Sequence, residues 1–556
     1  MDPRVLDAAR GAFPASPSTI TLGAIVHGGE CAPEPIARIP LSMMNRHGLI
    51  AGATGTGKTK SLQLIAEQLS AAGVPVFVSD VKGDLAGLGA PGEASDRVNQ
   101  RAAETGYAWQ PSAAPVEFLS LTGKLGAQLR ATVSSFGPML LAKVLGLNDT
   151  QTSVLTLVFK FCDDRGLLLL DFPDLRAVLQ YLAGEGADEL ETYGGMSKAT
   201  AGVLLREMVE LEAQGAEDFF GEPEFDLDDL MQVERDGRGL ISVLELRDVQ
   251  DRPAMFSTFM LWMLARLYGQ LPEVGDVDKP RLVFFFDEAH LLFDGASKAL
   301  LAQIEQTVRL IRSKGVGVFF VTQSPKDVPP DVLGQLGHRV QHALRAFTED
   351  DEKALRAAAR TFPKTGFYDI EETLTTLGIG EAFVTTLATN GVPTQPFGVR
   401  MVPPSSRMGP LADAEMQQRI STSVQVKKYA EDIDRQSARE MLEDRAAPDA
   451  APPAAAPPQD APPPPPPPSG QYQYQWQQQE AAAGGPPQYQ YQRAQQPAAP
   501  PPPPAPRGRA PREEPGMFEK VLKSGVARSV ATQVTRGLMG ALLGTPSRRR
   551  RRGGLW

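Results

Sequence analysis

The stretch HGLIAGATGTGKTKSL, from His47 to Leu62, decides the fold of this chain. Its apolar start, GLIAG, predicts a buried β-strand, and Lys58 to Ala72 predicts an amphipathic helix. Between them, Gly52 to Thr59 fits the pattern G-x-x-x-x-G-K-[ST], whose glycines let backbone N–H groups converge on phosphate oxygens at the positive end of the helix. A glycine-rich turn without a ligand is the alternative, and the strand and helix on either side argue against it.

The residues of this loop have distinct expected roles toward a bound nucleotide. ATP is expected to rest on Gly52, Ala53, Thr54, Gly55, Thr56, Gly57, Lys58 and Thr59. The Lys58 ammonium group is expected to reach the β- and γ-phosphates, and the Thr59 hydroxyl to ligate Mg²⁺. ATP and Mg²⁺ are therefore the expected cofactors.

A second motif, LVFFFDEAH, ends an apolar strand in Asp287 and Glu288. Ligands of open α/β sheets bind at the carboxyl edge of the strands, so both carboxylates are expected beside the phosphate loop. Asp287 is expected to hold Mg²⁺, and Glu288 to act as general base toward the attacking water. A carboxylate pair at a strand end can instead simply face solvent. Together with the phosphate loop, however, the pair predicts an ATPase rather than a kinase.

A third buried strand, in GVGVFFVTQSP, ends at Thr322 and Gln323. A polar side chain at this position can contact the γ-phosphate or the attacking water, and Gln323 is the candidate for that catalytic role. An ordinary strand end is the alternative.

Four arginines near this strand are candidates for an arginine finger, which would reach the γ-phosphate bound by a neighbouring subunit. Arg309 and Arg312 precede the strand and share one helical face, and Arg339 and Arg345 follow it. Arg312 is the expected finger. For each arginine, a surface ion pair is the alternative.

Charged residues also end the strand VPVFVSD, which continues into VKGDLAG. Asp80, Lys82 and Asp84 are expected near the same edge of the sheet. They are candidates for tuning the site or contacting a partner, and a charged turn explains them equally well.

Strands and helices alternate around these motifs, which predicts an α/β class with one doubly wound, mostly parallel sheet. Residues 46–90 and 236–402 are assigned to this core, and 91–235 to a helical insertion. Residues 1–45 are expected to form a short β-rich segment, and 403–446 to form C-terminal helices. Residues 447–512 are rich in Pro and Gln and predict a disordered tether, and 513–556 predict a basic amphipathic helix.

The composition is typical of a soluble globular protein, with 42% hydrophobic and 22% charged residues. Two cysteines exclude a disulfide framework, and the N-terminus lacks the apolar region of a secretory signal. The longest apolar run, Ala254 to Ala265, falls short of the roughly 20 residues that span a bilayer. A cytoplasmic location is expected. The net charge of −10 excludes nucleic-acid binding through the overall field, so DNA would need a local groove or pore.

The chain resembles the HerA-like ATPases of the HerA/FtsK superfamily. The resemblance rests on four motifs that occur in this order around a helical insert: the phosphate loop, DVKGDLAG, FFFDEAH and VTQSP. The resemblance extends to Leu129–Arg176 and Lys427–Leu442, and into TRGLMGALLG near the C-terminus, leaving out only the Pro-rich tether. It implies a RecA-type P-loop ATPase core, a ring that is usually a homo-hexamer, and transport of double-stranded DNA through the channel. This chain lacks the full N-terminal barrel through which a nuclease docks in better-known members, so a nuclease partner is not expected.

Two functions stay open beside that resemblance. One is a DNA translocase or helicase, which the five arginines at 548–552 favour through phosphate neutralisation. The other is an ATPase that remodels a protein complex or acts at a membrane surface through 518–543, which is apolar at helical spacing with interspersed basic residues. A third hypothesis is a nucleotide-gated scaffold without turnover. The presence of Lys58, Asp287 and Glu288 argues against it.

Overall fold

The computed structural model describes residues 1–446 except 295–297, 432 and 434. Its strands are β1 (Thr19–His27), β2 (Glu30–Pro40), β3 (Gly48–Ala51), β4 (Val76–Asp80), β5 (Val116–Ser120), β6 (Ala127–Gln128), β7 (Ile241–Glu245), β8 (Leu282–Phe286), β9 (Val316–Thr322), β10 (His338–His342), β11 (Glu381–Thr385) and β12 (Phe397–Met401). They form a single sheet in the order β2-β1-β12-β11-β10-β3-β9-β8-β4-β7-β5-β6.

The sheet is mostly parallel, as the sequence predicts. Neighbouring strands are parallel along the part of the sheet that runs in the order β10, β3, β9, β8, β4, β7, β5, β6. The pairs β10–β11, β11–β12, β12–β1 and β1–β2 are antiparallel. The chain therefore has a mixed α/β fold with a mostly parallel sheet, in which the parallel strands end at a common carboxyl edge.

Helices cover the sheet and connect its strands. They are α1 (Pro3–Ala12), α2 (Lys58–Ala71), α3 (Asp96–Thr105), α4 (Val133–Val144), α5 (Asp149–Arg165), α6 (Phe172–Ala183), α7 (Ala187–Glu191), α8 (Lys198–Ala213), α9 (Ala216–Phe219), α10 (Pro253–Gln270), α11 (Lys298–Ile311), α12 (Pro330–Leu333), α13 (Glu349–Ala359), α14 (Ile370–Thr376), α15 (Asp413–Thr422), α16 (Val424–Ala430) and α17 (Ala438–Ala446). Within the described part of the chain, no helix combines the length and apolar character needed to cross a membrane.

Hydrophobic clusters on both faces of the sheet explain why its central strands are continuously apolar. Along β8, Phe284 and Phe286 belong to the cluster on one face, and Val283 and Phe285 to the cluster on the other. Successive side chains of a strand point to opposite faces, so a strand covered on both sides needs apolar residues at every position.

Two expectations about domain limits differ from the structure. The N-terminal segment 1–45 opens with α1, and its strands extend the main sheet because β1 pairs with β12. The segment 91–235 is not helical throughout, since β5 and β6 within it join the sheet beside β7. Both strands are short, with five residues in β5 and two in β6, so neither gives a strong alternation signal. The tether at 447–512 and the basic segment at 513–556 lie outside the described residues.

Candidate functional site

The phosphate loop connects β3 to α2 at the centre of the carboxyl edge. Gly52, Gly55 and Gly57 have φ angles of +152°, +77° and +117°, which favour glycine. Gly52 has a second constraint, because a Cβ there would lie 2.5 Å from the Cβ of His342. The loop geometry therefore requires the glycines that the motif supplies.

The loop is fastened to its neighbouring strands by backbone hydrogen bonds. The Gly52 N–H donates to the Thr322 carbonyl at 3.3 Å, and the Ala53 N–H to the Ala343 carbonyl at 2.9 Å. The Thr56 hydroxyl closes the loop by donating to the Ala53 carbonyl at 2.7 Å. These bonds hold the loop in its curved shape.

Lys58 begins α2 and turns its ammonium group back into the loop. Its side chain is buried, and Nζ donates to the Ala53 carbonyl at 3.3 Å. Burial lowers the pKa of Lys58, against the raising effect of Glu288 and Asp287. The structure thus brings the loop lysine and both predicted carboxylates into one electrostatic group.

Asp287 follows the last residue of β8 and is almost completely buried. Its N–H donates to the Ser79 hydroxyl on β4 at 3.1 Å, which fixes the end of one strand to the next. Burial raises the Asp287 pKa to about 7, and the nearby Glu288 and Asp80 carboxylates add to the shift. A cation beside Asp287 would relieve this cost, as the predicted magnesium role requires.

Glu288 adopts a left-handed backbone conformation, with φ +48°, that a residue with a Cβ rarely occupies. Such a conformation costs on the order of 1–3 kcal/mol and is found preferentially at functional sites. Its Oε1 accepts from Lys82 Nζ in an ion pair, and its Oε2 lies 3.4 Å from His290 Nδ1. Oε2 is buried and has no hydrogen-bond partner in the described part of the chain.

The structure distinguishes between the two interpretations for Asp80 and for Lys82. The Asp80 carboxylate accepts from the N–H groups of Lys82, Gly83 and Leu85 at 3.1, 2.7 and 2.7 Å, so it orders the turn after β4. Lys82 projects from that turn to Glu288 and belongs to the site.

Gln323 lies beside the phosphate loop. It is exposed and lines a cleft of about 900 Å³ together with Ala53, Thr54 and His290. Its neighbour Thr322 turns away, because its hydroxyl donates to Asp327 Oδ2 at 2.7 Å. Of the two residues at this strand end, Gln323 is the one placed to meet a ligand.

The four candidate arginines occupy two edges of the sheet. Arg345 lines the cleft beside the phosphate loop of its own chain. Arg312 lies between α11 and the start of β9. The end of β9 is hydrogen-bonded to the phosphate loop, so Arg312 lies at the edge of the sheet opposite that loop. Arg309 and Arg339 are near that edge too, at the end of α11 and the start of β10. Arg312 is exposed and does not approach its own chain's site.

His342, at the end of β10, is a site residue that sequence reasoning missed. It is fully buried behind Gly52, and its Nε2 lies 2.8 Å from the Ser61 hydroxyl on α2. Nδ1 lies 2.8 Å from the Glu381 carbonyl on β11, which requires Nδ1–H as donor and leaves Nε2 to accept from Ser61. Burial lowers the His342 pKa to about 4, so the ring is neutral and its tautomer is fixed.

The residues near the loop can hold a magnesium ion only together with a nucleotide. Thr59 is the second residue of α2 and Asp287 follows β8, and no group of three or more His, Cys, Asp or Glu suited to a metal occurs among the described residues. Mg²⁺ is ordinarily held by one or two protein oxygens, with waters and phosphate oxygens completing the shell. One hydroxyl and one carboxylate fit that pattern.

Comparison with known proteins gives one family and several solved structures. The family model described as helicase HerA-like C-terminal matches residues 29–552. No curated protein matches the chain in sequence.

The solved structures are similar in fold at low sequence identity. The bacterial conjugative coupling protein TrwB, in an unbound form, has a TM-score of 0.44 and 14% identity over 71% of this chain and 90% of that chain. TrwB in complex with ADP and Mg²⁺ has a TM-score of 0.45 and 15% identity, covering 73% of this chain and 100% of that chain. VirB4 of Thermoanaerobacter pseudethanolicus has a TM-score of 0.43 and 16% identity, covering 72% and 99%.

Proposed function

Because the chain belongs to the helicase HerA-like C-terminal family, we propose that it is an ATP-hydrolysing motor that forms a homo-hexameric ring and translocates double-stranded DNA. One observation carries the proposal: Lys58, Asp287 and Glu288 meet at one edge of the sheet, around a loop whose backbone is already shaped for phosphate. This arrangement supports ATP hydrolysis. Double-stranded DNA is proposed as the substrate because of the family to which the chain belongs.

In the proposed hydrolysis, Lys58 binds the phosphates, Glu288 accepts a proton, and Gln323 orients the reacting groups. Lys58 exchanges its bond with the Ala53 carbonyl for the β- and γ-phosphate oxygens. Glu288 receives a proton from the attacking water through Oε2, the buried oxygen that accepts no hydrogen bond in the described part of the chain. Gln323, at the wall of the cleft, orients the same water or contacts the γ-phosphate.

The Thr59 hydroxyl and the Asp287 carboxylate would hold Mg²⁺, which supplies positive charge against the phosphate oxygens. Asp287 is suited to this position because its burial makes a lone negative charge unfavourable. Arg312 is proposed as the finger that completes a neighbouring subunit's site, since it lies at the edge away from its own loop.

The proposal is tested by ATP turnover of the full-length protein with and without linear duplex DNA, at two salt concentrations. A Glu288→Gln variant serves as the blank for contaminating ATPases. Stimulation by DNA that falls steeply with salt supports translocation, because phosphate contacts release counterions. Turnover that is absent in both conditions, or equal to the blank, contradicts the proposed ATPase itself.

Turnover that ignores DNA would favour the second function, an ATPase acting on a protein complex or at a membrane surface. The observation behind it is the apolar and basic pattern of residues 518–543, which lie outside the described residues. A chain lacking Phe518–Trp556 should then lose binding to anionic vesicles or to its protein partner while it keeps its basal turnover.

A further inference from the structure

We propose that Asn45 is a positioning residue, whose buried amide holds the backbone of Arg312 so that this arginine can act on a neighbouring subunit. Asn45 lies in the 3₁₀ helix Leu41–Arg46, which leads through His47 into β3. Its Nδ2 donates to the Arg312 carbonyl at 3.4 Å. The proposal rests on the function proposed above, and it adds the residue that fixes the proposed finger.

Arg312 begins a tight turn that ends at Gly315, where φ is +77°. The Gly315 N–H closes the turn by donating to the Arg312 carbonyl at 3.0 Å. Two bonds hold the turn from outside: the Arg281 N–H donates to the Gly315 carbonyl at 2.8 Å, and the Val274 N–H to the Ser313 carbonyl at 3.0 Å. The backbone of the turn is therefore fixed on several sides, while the Arg312 side chain is exposed.

The Arg312 guanidinium does not form the surface ion pair that is the alternative to a finger. Among the residues that the structure describes, it makes neither an ion pair nor a hydrogen bond. Lys314, in the same turn, instead pairs with Glu273 at 3.0 Å. A charged group on a rigid turn, without a partner in its own chain, keeps its hydrogen-bonding capacity for another molecule. Its placement then depends on the backbone that Asn45 contacts.

The burial of Asn45 is not explained by stability. The residue is only 3% exposed, and its Oδ1 has no hydrogen-bond partner within the described part of the chain. Burying an unpaired polar atom costs free energy that an apolar side chain of the same size would not cost. The Arg312 carbonyl also accepts from the Gly315 N–H, so it would stay bonded without Asn45. What the amide adds is a link between the 3₁₀ helix and the finger turn.

His47 fixes the next part of the same segment, at the start of β9. Its φ of +58° and ψ of 165° form a combination that is strained for a residue with a Cβ. The buried ring lies against β9, where Nδ1 accepts from the Val318 N–H at 3.0 Å. Contact here is also close between backbones, since a Cβ at Gly317 would lie 2.4 Å from the Met44 carbonyl oxygen. The turn of Arg312 and the strand after it therefore rest on one short segment, residues 44–47.

This segment also precedes the phosphate loop of its own chain. β3 runs from Gly48 to Ala51 and enters the loop, and it pairs in parallel with β9, which runs from the finger turn toward Gln323. A change at Asn45 can therefore act on the neighbouring subunit through Arg312 or on its own site through β3. Mixed rings distinguish these two routes, because only a defect that acts across the subunit boundary is rescued by a second variant.

The test measures ATP turnover of full-length Asn45→Leu, alone and mixed with Lys58→Ala. Leucine is close to asparagine in size, and it removes both the Nδ2 donor and the unpaired oxygen. We expect kcat to fall by a factor of about 10 to 100, the usual effect of a misplaced catalytic group, with nucleotide affinity unchanged. The denaturant midpoint should not decrease, because no unpaired polar atom is left buried. Mixing should restore turnover, since Lys58→Ala subunits present an intact finger to intact loops.

Asn148→Leu is the matched control. Asn148 caps α5 in the helical insertion by accepting from the Gln151 N–H at 3.0 Å, so its loss should lower the denaturant midpoint and leave turnover unchanged. The positioning role is wrong if Asn45→Leu keeps full turnover, if its lost turnover is not restored by mixing, or if its midpoint falls as that of Asn148→Leu does.

Arg312→Ala separates this inference from the proposed function. If Arg312→Ala is rescued by mixing and Asn45→Leu is not, only the role of Asn45 is overturned. If Arg312→Ala keeps full turnover, the finger has been misassigned and the role of Asn45 is overturned with it. An unmodified chain without ATP turnover overturns the proposed function and, with it, this inference.

Discussion

The Lys82 ammonium group and the Glu288 carboxylate form an ion pair that links the turn after β4 to the turn after β8. The side chain of Glu288 is only 7% exposed, while that of Lys82 is 49% exposed. Burial alone would raise the Glu288 pKa, but the hydrogen bond and charge of Lys82 outweigh it and the pKa is lowered. Lys82 thus keeps the proposed base ionised and occupies one of its two oxygens.

The first prediction concerns Glu288 itself. Glu288→Gln should keep ATP binding and lower kcat by a factor of about 10² to 10⁴, the usual contribution of a general base. Nucleotide affinity and single-turnover hydrolysis would be measured separately. Glu234→Gln, at an exposed turn, is the matched control. Turnover equal to that of the unmodified chain, with both well above Lys58→Ala, would remove Glu288 from this role.

The second prediction concerns its partner. Lys82→Met should leave the Glu288 carboxylate without its cation, and we expect kcat to fall about tenfold or more with little change in ATP affinity. Lys82→Arg keeps the charge and should retain more of the activity. A purely structural role for Lys82 would instead lower stability and change KM and kcat together, so full kinetics and a denaturation curve are both needed.

Much of this site is local in sequence and could be predicted from it. The phosphate loop is contained in residues 52–59, and Asp287 and Glu288 come directly after a fully apolar strand. Parallel strands end at one edge, so the meeting of the two motifs follows from the fold class alone. The predicted α2 helix differs from the observed one by a single residue at its C-terminal end.

Other parts depend on contacts that no local pattern encodes. The Lys82–Glu288 pair joins residues 206 positions apart, and the pair His342–Ser61 joins residues 281 positions apart. The sequence of β10, HRVQH, is polar and does not predict a buried strand, although both of its histidines are buried. Their ring nitrogens are satisfied by partners on other elements, and only the structure shows those partners.

The third prediction separates two arginines by the edge on which they lie. If Arg312 acts across a subunit boundary, Arg312→Ala should lose hydrolysis and keep nucleotide affinity. Mixing this variant with Lys58→Ala protein should restore activity, because some interfaces then combine an intact loop with an intact finger. The rescue would be measured as turnover against mixing ratio.

Arg345 gives the contrasting case, since it lines the cleft of its own chain. Arg345→Ala should lower hydrolysis in a way that mixing with Lys58→Ala does not rescue. Each chain in that mixture lacks one component of its own site. If Arg345→Ala is rescued and Arg312→Ala is not, the finger has been assigned to the wrong arginine.

The last prediction concerns the buried imidazole behind the phosphate loop. Burial lowers the His342 pKa from 6.5 to about 4, so between these two values the unfolded chain binds a proton that the folded chain does not. The contribution of His342 to the free energy of unfolding is therefore fully present above pH 6.5. It decreases by about 1.4 kcal/mol per pH unit as the pH falls toward 4.

His342→Gln should lower stability at pH 8 by about 1–3 kcal/mol, because a buried hydrogen-bonding group loses its geometry. It should also show a shallower loss of stability between pH 6.5 and 4, measured by denaturant unfolding at several pH values. Ser61→Ala is the control: it removes the partner of Nε2 but keeps the buried ring, so stability should fall while the pH slope remains. An unchanged slope in His342→Gln would mean that the ring is protonated in the folded chain, and the tautomer assigned from its two contacts would be wrong.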